Sequence, residues 1–179
     1  MPPLSSLSRV SIIGSSCAGK TTLARSLSAA LGIPHIELDA LHWGPNWTPC
    51  ETEEFRARVR AAVAAPAWVA DGNYSKTRDI VWARATTVIW LNYPFPLVFG
   101  RAVTRTLRRI ITRETLFAGN RETLAITDPD WIPWWVLRTF RRRRRAYPQL
   151  LRQPQFAHLR VLELTRPSQA QHLLEACAS

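Results

Sequence analysis

Gly14-Ser15-Ser16-Cys17-Ala18-Gly19-Lys20-Thr21, near the start of the chain, matches the phosphate-binding pattern G-x-x-x-x-G-K-[ST] and constrains the fold more than any other stretch. A loop of this kind works only between a strand and a helix. Its glycines let the backbone curl until successive N–H groups point inward at phosphate oxygens, and the helix that follows adds the positive end of its dipole. The required context is present. Val10, Ile12 and Ile13 form an apolar strand, and Leu23, Leu27, Ala30 and Leu31 recur at helical spacing until Gly32 and Pro34 close the helix. Lys20 then supplies a mobile charge for β- and γ-phosphates, and the Thr21 hydroxyl suits Mg²⁺. Residues Gly14, Ser15, Ser16, Cys17, Ala18, Gly19, Lys20, Thr21 and Thr22 are expected to line the phosphates. The helix N-terminus and Lys20 also favour a thiolate at Cys17, which is expected to react faster than Cys177.

Hydrophobic runs further along predict strands at 10–13, 36–39, 68–71, 87–91 and 160–164, separated by helical patterns. Thr48-Pro49-Cys50-Glu51 reads as a capping box opening a helix that carries Phe55, Val59, Ala62 and Val63. Ser168-Gln169-Ala170-Gln171 reads as the cap of the last helix. Strands alternating with helices imply an α/β fold with a parallel sheet, in which ligands bind at the carboxyl ends of the strands. Two acids, Asp39 and Asp71, are expected to end the second and third strands on that edge. The loop Leu41-His42-Trp43-Gly44-Pro45-Asn46-Trp47 carries a turn signal and places two tryptophans beside Asp39.

Nearly seventy residues separate the fourth and fifth predicted strands, too many for one crossover. Residues 97–115 read as a helix with Arg101, Arg105, Arg108 and Arg109 on one face; a second helix from Pro133 toward Tyr147 places Arg138, Arg141, Arg142 and Arg145 on one face and stops at Pro148. The aperiodic stretch between them is a candidate lid, about 112–132. The formal charge of +11 sits mainly here. Residues 1–100 hold 9 Lys/Arg and 7 Asp/Glu, whereas residues 101–179 hold 15 and 6, so the second half is built to face anions.

A length of 179 residues predicts one domain, 1–179, large enough for a core without disulfide or metal staples. Three cysteines without metal or redox spacing, no secretory pattern and no apolar run near the roughly 20 residues needed to cross a bilayer predict a cytoplasmic protein.

Four stretches give the chain a family likeness: the phosphate loop, Leu38-Asp39-Ala40-Leu41-His42-Trp43, Asp71-Gly72-Asn73-Tyr74, and Gly119-Asn120-Arg121-Glu122 ahead of an arginine-rich helix. With them the sequence resembles the adenylate-kinase-like P-loop kinases, and most closely the small bacterial topology-modulation group. The resemblance implies a P-loop kinase fold: a five-stranded parallel sheet flanked by helices with an arginine-rich helical lid between strands 4 and 5. It also implies ATP and Mg²⁺ as ligands. Asp71 resembles the aspartate that lies near Mg²⁺ in adenylate kinases, giving Thr21 and Asp71 as metal partners. The likeness to those enzymes breaks after Gly72, where Asn73-Tyr74-Ser75 replaces Phe-Pro-Arg. Asp39 is similar to the aspartate with which shikimate- and gluconate-type kinases hold the hydroxyl that is phosphorylated, so the acceptor is either a nucleoside monophosphate or a small hydroxyl compound. Lys20, Asp39, Arg121, Arg138 and Arg142 are the expected catalytic set, and Arg166, with Pro167, resembles the loop that touches adenine. Two other classes stay open at this point: a nucleic-acid-binding ATPase that uses the arginine helices on a phosphate backbone, and attachment of the Trp131-Trp134-Trp135 segment to anionic membrane. The oligomeric state is not legible.

Overall fold

A computed structural model describes residues 7–122 and 131–178 of the protein. Five strands, β1 (Arg9–Gly14), β2 (His35–Glu37), β3 (Trp68–Asp71), β4 (Thr87–Leu91) and β5 (Arg160–Leu164), form one sheet in the order β2-β3-β1-β4-β5. Every neighbouring pair is parallel. Seven helices surround the sheet among the described residues: α1 (Lys20–Leu31), α2 (Leu38–His42), α3 (Thr52–Ala62), α4 (Arg78–Arg84), α5 (Phe95–Thr112), α6 (Ile132–Leu151) and α7 (Pro167–Ala178).

Central strands of a parallel sheet are covered on both faces and so must be apolar throughout. β3 and β4 are buried along their whole lengths, and β1 after its first residue. One core gathers Val10, Ile12, Val69 and Ile89 with α1, α5 and α7; the other gathers Ile13, Trp68, Val88 and Trp90 with α3 and α4. Helix α6 serves both. Its Val136 and Phe140 join the first core, and its Tyr147, Leu150 and Leu151 pack on the second, so the helix passes over the carboxyl edge of the sheet.

Several boundaries differ from the sequence expectation, each for a local reason. Pairing of β2 with β3 ends at Glu37 opposite Asp71, and the chain turns at once into α2, so Asp39 lies in the first turn of a short helix and not at a strand end. The residues Thr48 and Pro49 do not open α3, because Pro49 bridges Trp43; Glu51 caps the helix instead, its carboxylate accepting from the N–H groups of Glu53 and Glu54 at 2.7 and 3.1 Å. Helix α4 has only seven residues, too few to show a period. The fifth helix starts at Phe95 and ends earlier than expected, where Arg113 turns left-handed at φ 51°. Pro148 does not stop α6, since near a helix end the missing N–H forfeits one bond while Leu150 and Leu151 still gain by packing. At the start of α7 Ser168 does no capping: Gln169 reaches back to accept from the N–H groups of Thr165 and Arg166 at 2.7 and 3.0 Å. The expected lid, about 112–132, lies partly outside the described residues; its described part forms a tight turn at Phe117–Gly119.

Gly72 seats α2 against the end of β3. A Cβ there would lie 2.7 Å from Leu38 Cβ, and φ of +146° belongs to glycine alone. Gly72→Ala is expected to lose about 2–4 kcal/mol of stability, from backbone strain and overpacking together, measured by denaturant unfolding. A loss under about 0.5 kcal/mol would show that α2 moves freely against β3.

Candidate active site

The phosphate loop is held before any ligand arrives. Gly14 ends β1 at φ +149°, and Asn73, just past β3, brackets it: the Asn73 Oδ1 accepts from Gly14 N–H at 3.3 Å while its amide nitrogen donates to Gly14 O. Tyr147 of α6 donates to the same Oδ1 at 2.9 Å. Gly19 and Cys17 take left-handed φ values of 99° and 64°, and α1 begins at Lys20. The Lys20 ammonium folds back on its own loop, donating to Gly14 O at 3.2 Å and Ser15 O at 3.1 Å. Burial, with Arg143 nearby, holds its pKa below the ordinary lysine value. Ser16 and Lys20 are half-buried, Ser15, Cys17 and Ala18 are buried, and Thr22 is exposed on α1.

Cys17 departs from the sequence expectation. The thiol is buried, only 8% exposed, and burial pushes its pKa up more than Arg105 and Lys20 pull it down. Helix dipoles lower a thiol pKa only where the thiolate stays solvated. A thiol reagent is therefore expected to modify Cys17 more slowly than the half-buried Cys177, read by mass spectrometry of labelled peptides. Faster labelling at Cys17 would contradict this burial.

Two carboxylates flank the loop. Asp71 is 3% exposed at the end of β3; Thr21 Oγ1 donates to its Oδ2 at 2.7 Å, and His35 Nε2 lies 2.7 Å from its Oδ1. No motif or spacing marks His35, which only strand pairing places beside Asp71. Asp39 is half-buried, and Tyr74 OH donates to its Oδ1 at 2.7 Å. Burial and Asp39 both raise the Tyr74 pKa far above its ordinary value, so the phenol stays a donor. Aromatic rings surround this pair: His42 lies 4.6 Å from Tyr74 and 4.8 Å from Trp43, and Trp43 lies 5.7 Å from Trp47.

The arginines divide differently from the sequence expectation. Arg143 is half-buried on the inner side of α6, its Nη1 3.4 Å from Ser16 Oγ, and burial lowers its pKa. Asp39, Tyr74 and Tyr147 all act on it electrostatically, while its one contact with the phosphate loop is at Ser16. Arg138 and Arg142 are exposed, as are Arg141, Arg144 and Arg145. On α5, Arg101 donates to Ala18 O at 3.0 Å and covers the Tyr93 ring at 5.6 Å. Arg121 is exposed, and its carbonyl accepts from Trp47 Nε1 at 3.2 Å. Asn120 ties the same two segments together, accepting from Trp47 N–H at 2.9 Å and donating to Gly44 O at 2.8 Å. Arg166 is exposed in the turn after β5. The structure thus brings Lys20, Thr21, Asp71, Asp39 and Arg143 around one loop, and leaves Arg138, Arg142 and Arg166 on the outside.

Neither a family model nor a curated protein matches the sequence. Solved structures do match the fold. A gluconokinase from Sinorhizobium meliloti aligns over 96% of this chain and 90% of its own, with TM-score 0.53 and 15% identity. A shikimate kinase from Acinetobacter baumannii, solved in complex with shikimate, aligns over 96% of this chain and 93% of its own, with TM-score 0.53 and 19% identity. A shikimate kinase from Bacteroides thetaiotaomicron covers 94% of each chain with TM-score 0.52 and 16% identity. The fold is that of the P-loop kinases, a five-stranded parallel sheet flanked by helices.

Proposed function

We propose that the protein is an ATP- and Mg²⁺-dependent phosphotransferase, one domain with a lid about 112–132 between its arginine-rich helices, that moves the γ-phosphoryl group to a hydroxyl of a small molecule. The observation that carries this reading is that Asp39, held by Tyr74, acts electrostatically on both Lys20 of the phosphate loop and Arg143, which touches the loop at Ser16. A carboxylate held by a phenol suits a hydroxyl that has a proton to lose, which an already ionised phosphate acceptor has not. Aromatic walls at Trp43, Trp47 and His42 suit the body of a small organic acceptor. The fold neighbours, by name kinases of gluconate and shikimate, agree with this choice over a nucleoside monophosphate.

The roles follow from the chemistry of each side chain. The loop N–H groups from Ser15 to Thr22 cradle the phosphates beyond Gly14, and Lys20 exchanges its two carbonyl partners for phosphate oxygens. Arg143 is placed to hold the charge that spreads over the transferring group. Asp39 orients the acceptor hydroxyl and takes its proton late in the transfer, while Tyr74 fixes the carboxylate. The pair Thr21 and Asp71 offers only oxygen donors 2.7 Å apart, the hard ligands that Mg²⁺ takes alongside substrate phosphates, so these two residues would hold it. Bound there, the ion would neutralise phosphate charge. Arg121 would join through a change of lid position, Arg138 and Arg142 only through a shift of α6, and Arg166 would border the base. A place in the topology-modulation group rests on Gly119-Asn120-Arg121-Glu122 and on Asp71-Gly72-Asn73-Tyr74.

Incubation with ATP, Mg²⁺ and a panel of polyols, sugar acids, nucleosides and nucleoside monophosphates, scored by ADP release, tests the proposal. Release with a hydroxyl acceptor is expected. A second reading, a P-loop ATPase acting on nucleic acid, rests on the exposed Arg138, Arg141, Arg142, Arg144 and Arg145 of α6. It requires DNA affinity that falls steeply with salt and ADP release without any acceptor.

A further inference from the structure

Beside the phosphate loop lies a half-buried charge cluster that the reaction above does not use. Glu122 is the last described residue before 123, and its side chain is only 10% exposed. Its Oε1 accepts from Arg109 Nη1 at 2.7 Å and lies 3.9 Å from Arg105 Nη2. The cluster is poorly satisfied. Glu122 Oε2, Arg105 Nε and Arg109 Nε are all buried without a hydrogen-bond partner, three of the eight such atoms among the described residues. Buried polar groups in a folded protein are normally paired, so orphans concentrated at one spot mark a place shaped for something else.

Position and charge identify what that is. Arg101, one helical turn before Arg105 on α5, touches Ala18 of the phosphate loop at 3.0 Å, and of all charges near Cys17 it is Arg105 that acts on it most strongly. The arginine row therefore starts at the loop and runs outward from it. Among the described residues Arg105, Arg108 and Arg109 are met by two carboxylates, Glu114 and Glu122, and Glu114 lies at 3.5 Å from both Arg108 and Arg109. One carboxylate engages a single oxygen of its two. A phosphate carries more charge and three terminal oxygens, and it matches paired guanidinium groups better than a carboxylate does.

We propose that Arg105 and Arg109 form a phosphate subsite for the nucleotide and that Glu122 occupies it as an internal stand-in, which the nucleotide's phosphate must displace. The inference rests on the kinase reading of the loop. Glu122 is also covalently next to Arg121, and Arg121 and Asn120 hold the Trp47 loop by three hydrogen bonds, so its displacement disturbs the anchor of the loop that carries Trp43 and Trp47. Nucleotide arrival and access to the acceptor side are then linked through one side chain.

The sign of one substitution decides the matter. If Glu122 were a structural strut, removing its charge would loosen the site and weaken nucleotide binding; as a competitor, its loss must strengthen binding. Calorimetric titration with ATP and, separately, with pyrophosphate is the measurement. Glu122→Gln is expected to bind both about tenfold more tightly than the parent, the gain when a stand-in that holds the pair in about nine molecules of ten is removed. Glu122→Asp, one methylene short of Arg109, should shift the same way, and it decides the question if the Gln variant does not fold. In an Arg105→Gln/Arg109→Gln background the gain should vanish. Equal or weaker binding by a folded Glu122 variant overturns the proposal while leaving the kinase reading intact. A parent protein that binds neither ligand overturns that reading and this inference with it.

Discussion

Lys20→Ala abolishes most of the stabilisation that ATP gives the protein. A ligand present at about 100 times its dissociation constant adds about 2.7 kcal/mol to the folded state by mass action, which in a domain of this size raises the melting temperature by roughly 5–10 °C. Lys20 is the one mobile cation inside the loop, already beside Gly14 O and Ser15 O and needing only to swing outward. Without it the β- and γ-phosphates keep the loop N–H groups but lose their point charge. The unliganded variant should melt close to the parent, since the ammonium is partly desolvated, as its lowered pKa records, and gives up little when deleted. The comparison is therefore clean: parent and variant, each scanned with and without ATP and Mg²⁺. A parent melting curve that nucleotide leaves unmoved would remove the phosphotransferase reading.

What the sequence reveals of this site depends on how local each constraint is. A phosphate loop is written in consecutive residues because its backbone dihedrals, dipole and lysine act within one turn, so its place between β1 and α1 was legible, whereas the burial of Cys17 was not. The acids were legible as acids near strand ends, but the pairing that gives Asp71 its partners was not: His35 comes to Asp71 only because β2 and β3 align Glu37 with Asp71. Likewise Asn73 brackets Gly14 across 59 residues of sequence.

The arginines of α6 show the limit most clearly. Charge clustering drew attention to Arg138, Arg141, Arg142 and Arg145, which share a face, and that face is exposed. The informative residue was the one that broke a different pattern. Val136, Phe140 and Tyr147 are buried at i, i+4 and i+11, and Arg143 falls at i+7 of the same stripe. A charged residue on an apolar stripe either carries a partner or faces a site, and here it faces Ser16. The stripe itself could not say so without the crossing of α6 over the sheet edge, which sets where its middle lies. Its length has a related cause: Pro148 breaks a helix in isolation, whereas packing of Leu150 and Leu151 extends this one by a turn.

Asp39→Asn separates the two kinds of acceptor that such a site could serve. A hydroxyl has a proton to lose, and a carboxylate within hydrogen-bond reach orients it and accepts that proton late in the transfer; a phosphate acceptor is already ionised and needs none. The substitution keeps the shape and the Tyr74 hydrogen bond, because an amide oxygen accepts from the phenol as the carboxylate does at 2.7 Å. It removes only the charge and the basic lone pair. For a hydroxyl acceptor, turnover is expected to fall by roughly 10²–10⁴-fold, the usual worth of general acid–base help, with ATP affinity nearly unchanged because Lys20 and the loop are untouched. For a monophosphate acceptor the change would appear mainly as a shift in acceptor binding, and in the favourable direction, since the carboxylate that repels the incoming phosphate is gone. If turnover and both Michaelis constants stay within about twofold of the parent, Asp39 serves only the first turn of α2, where an acid favours the helix N-terminus, and the acceptor lies elsewhere.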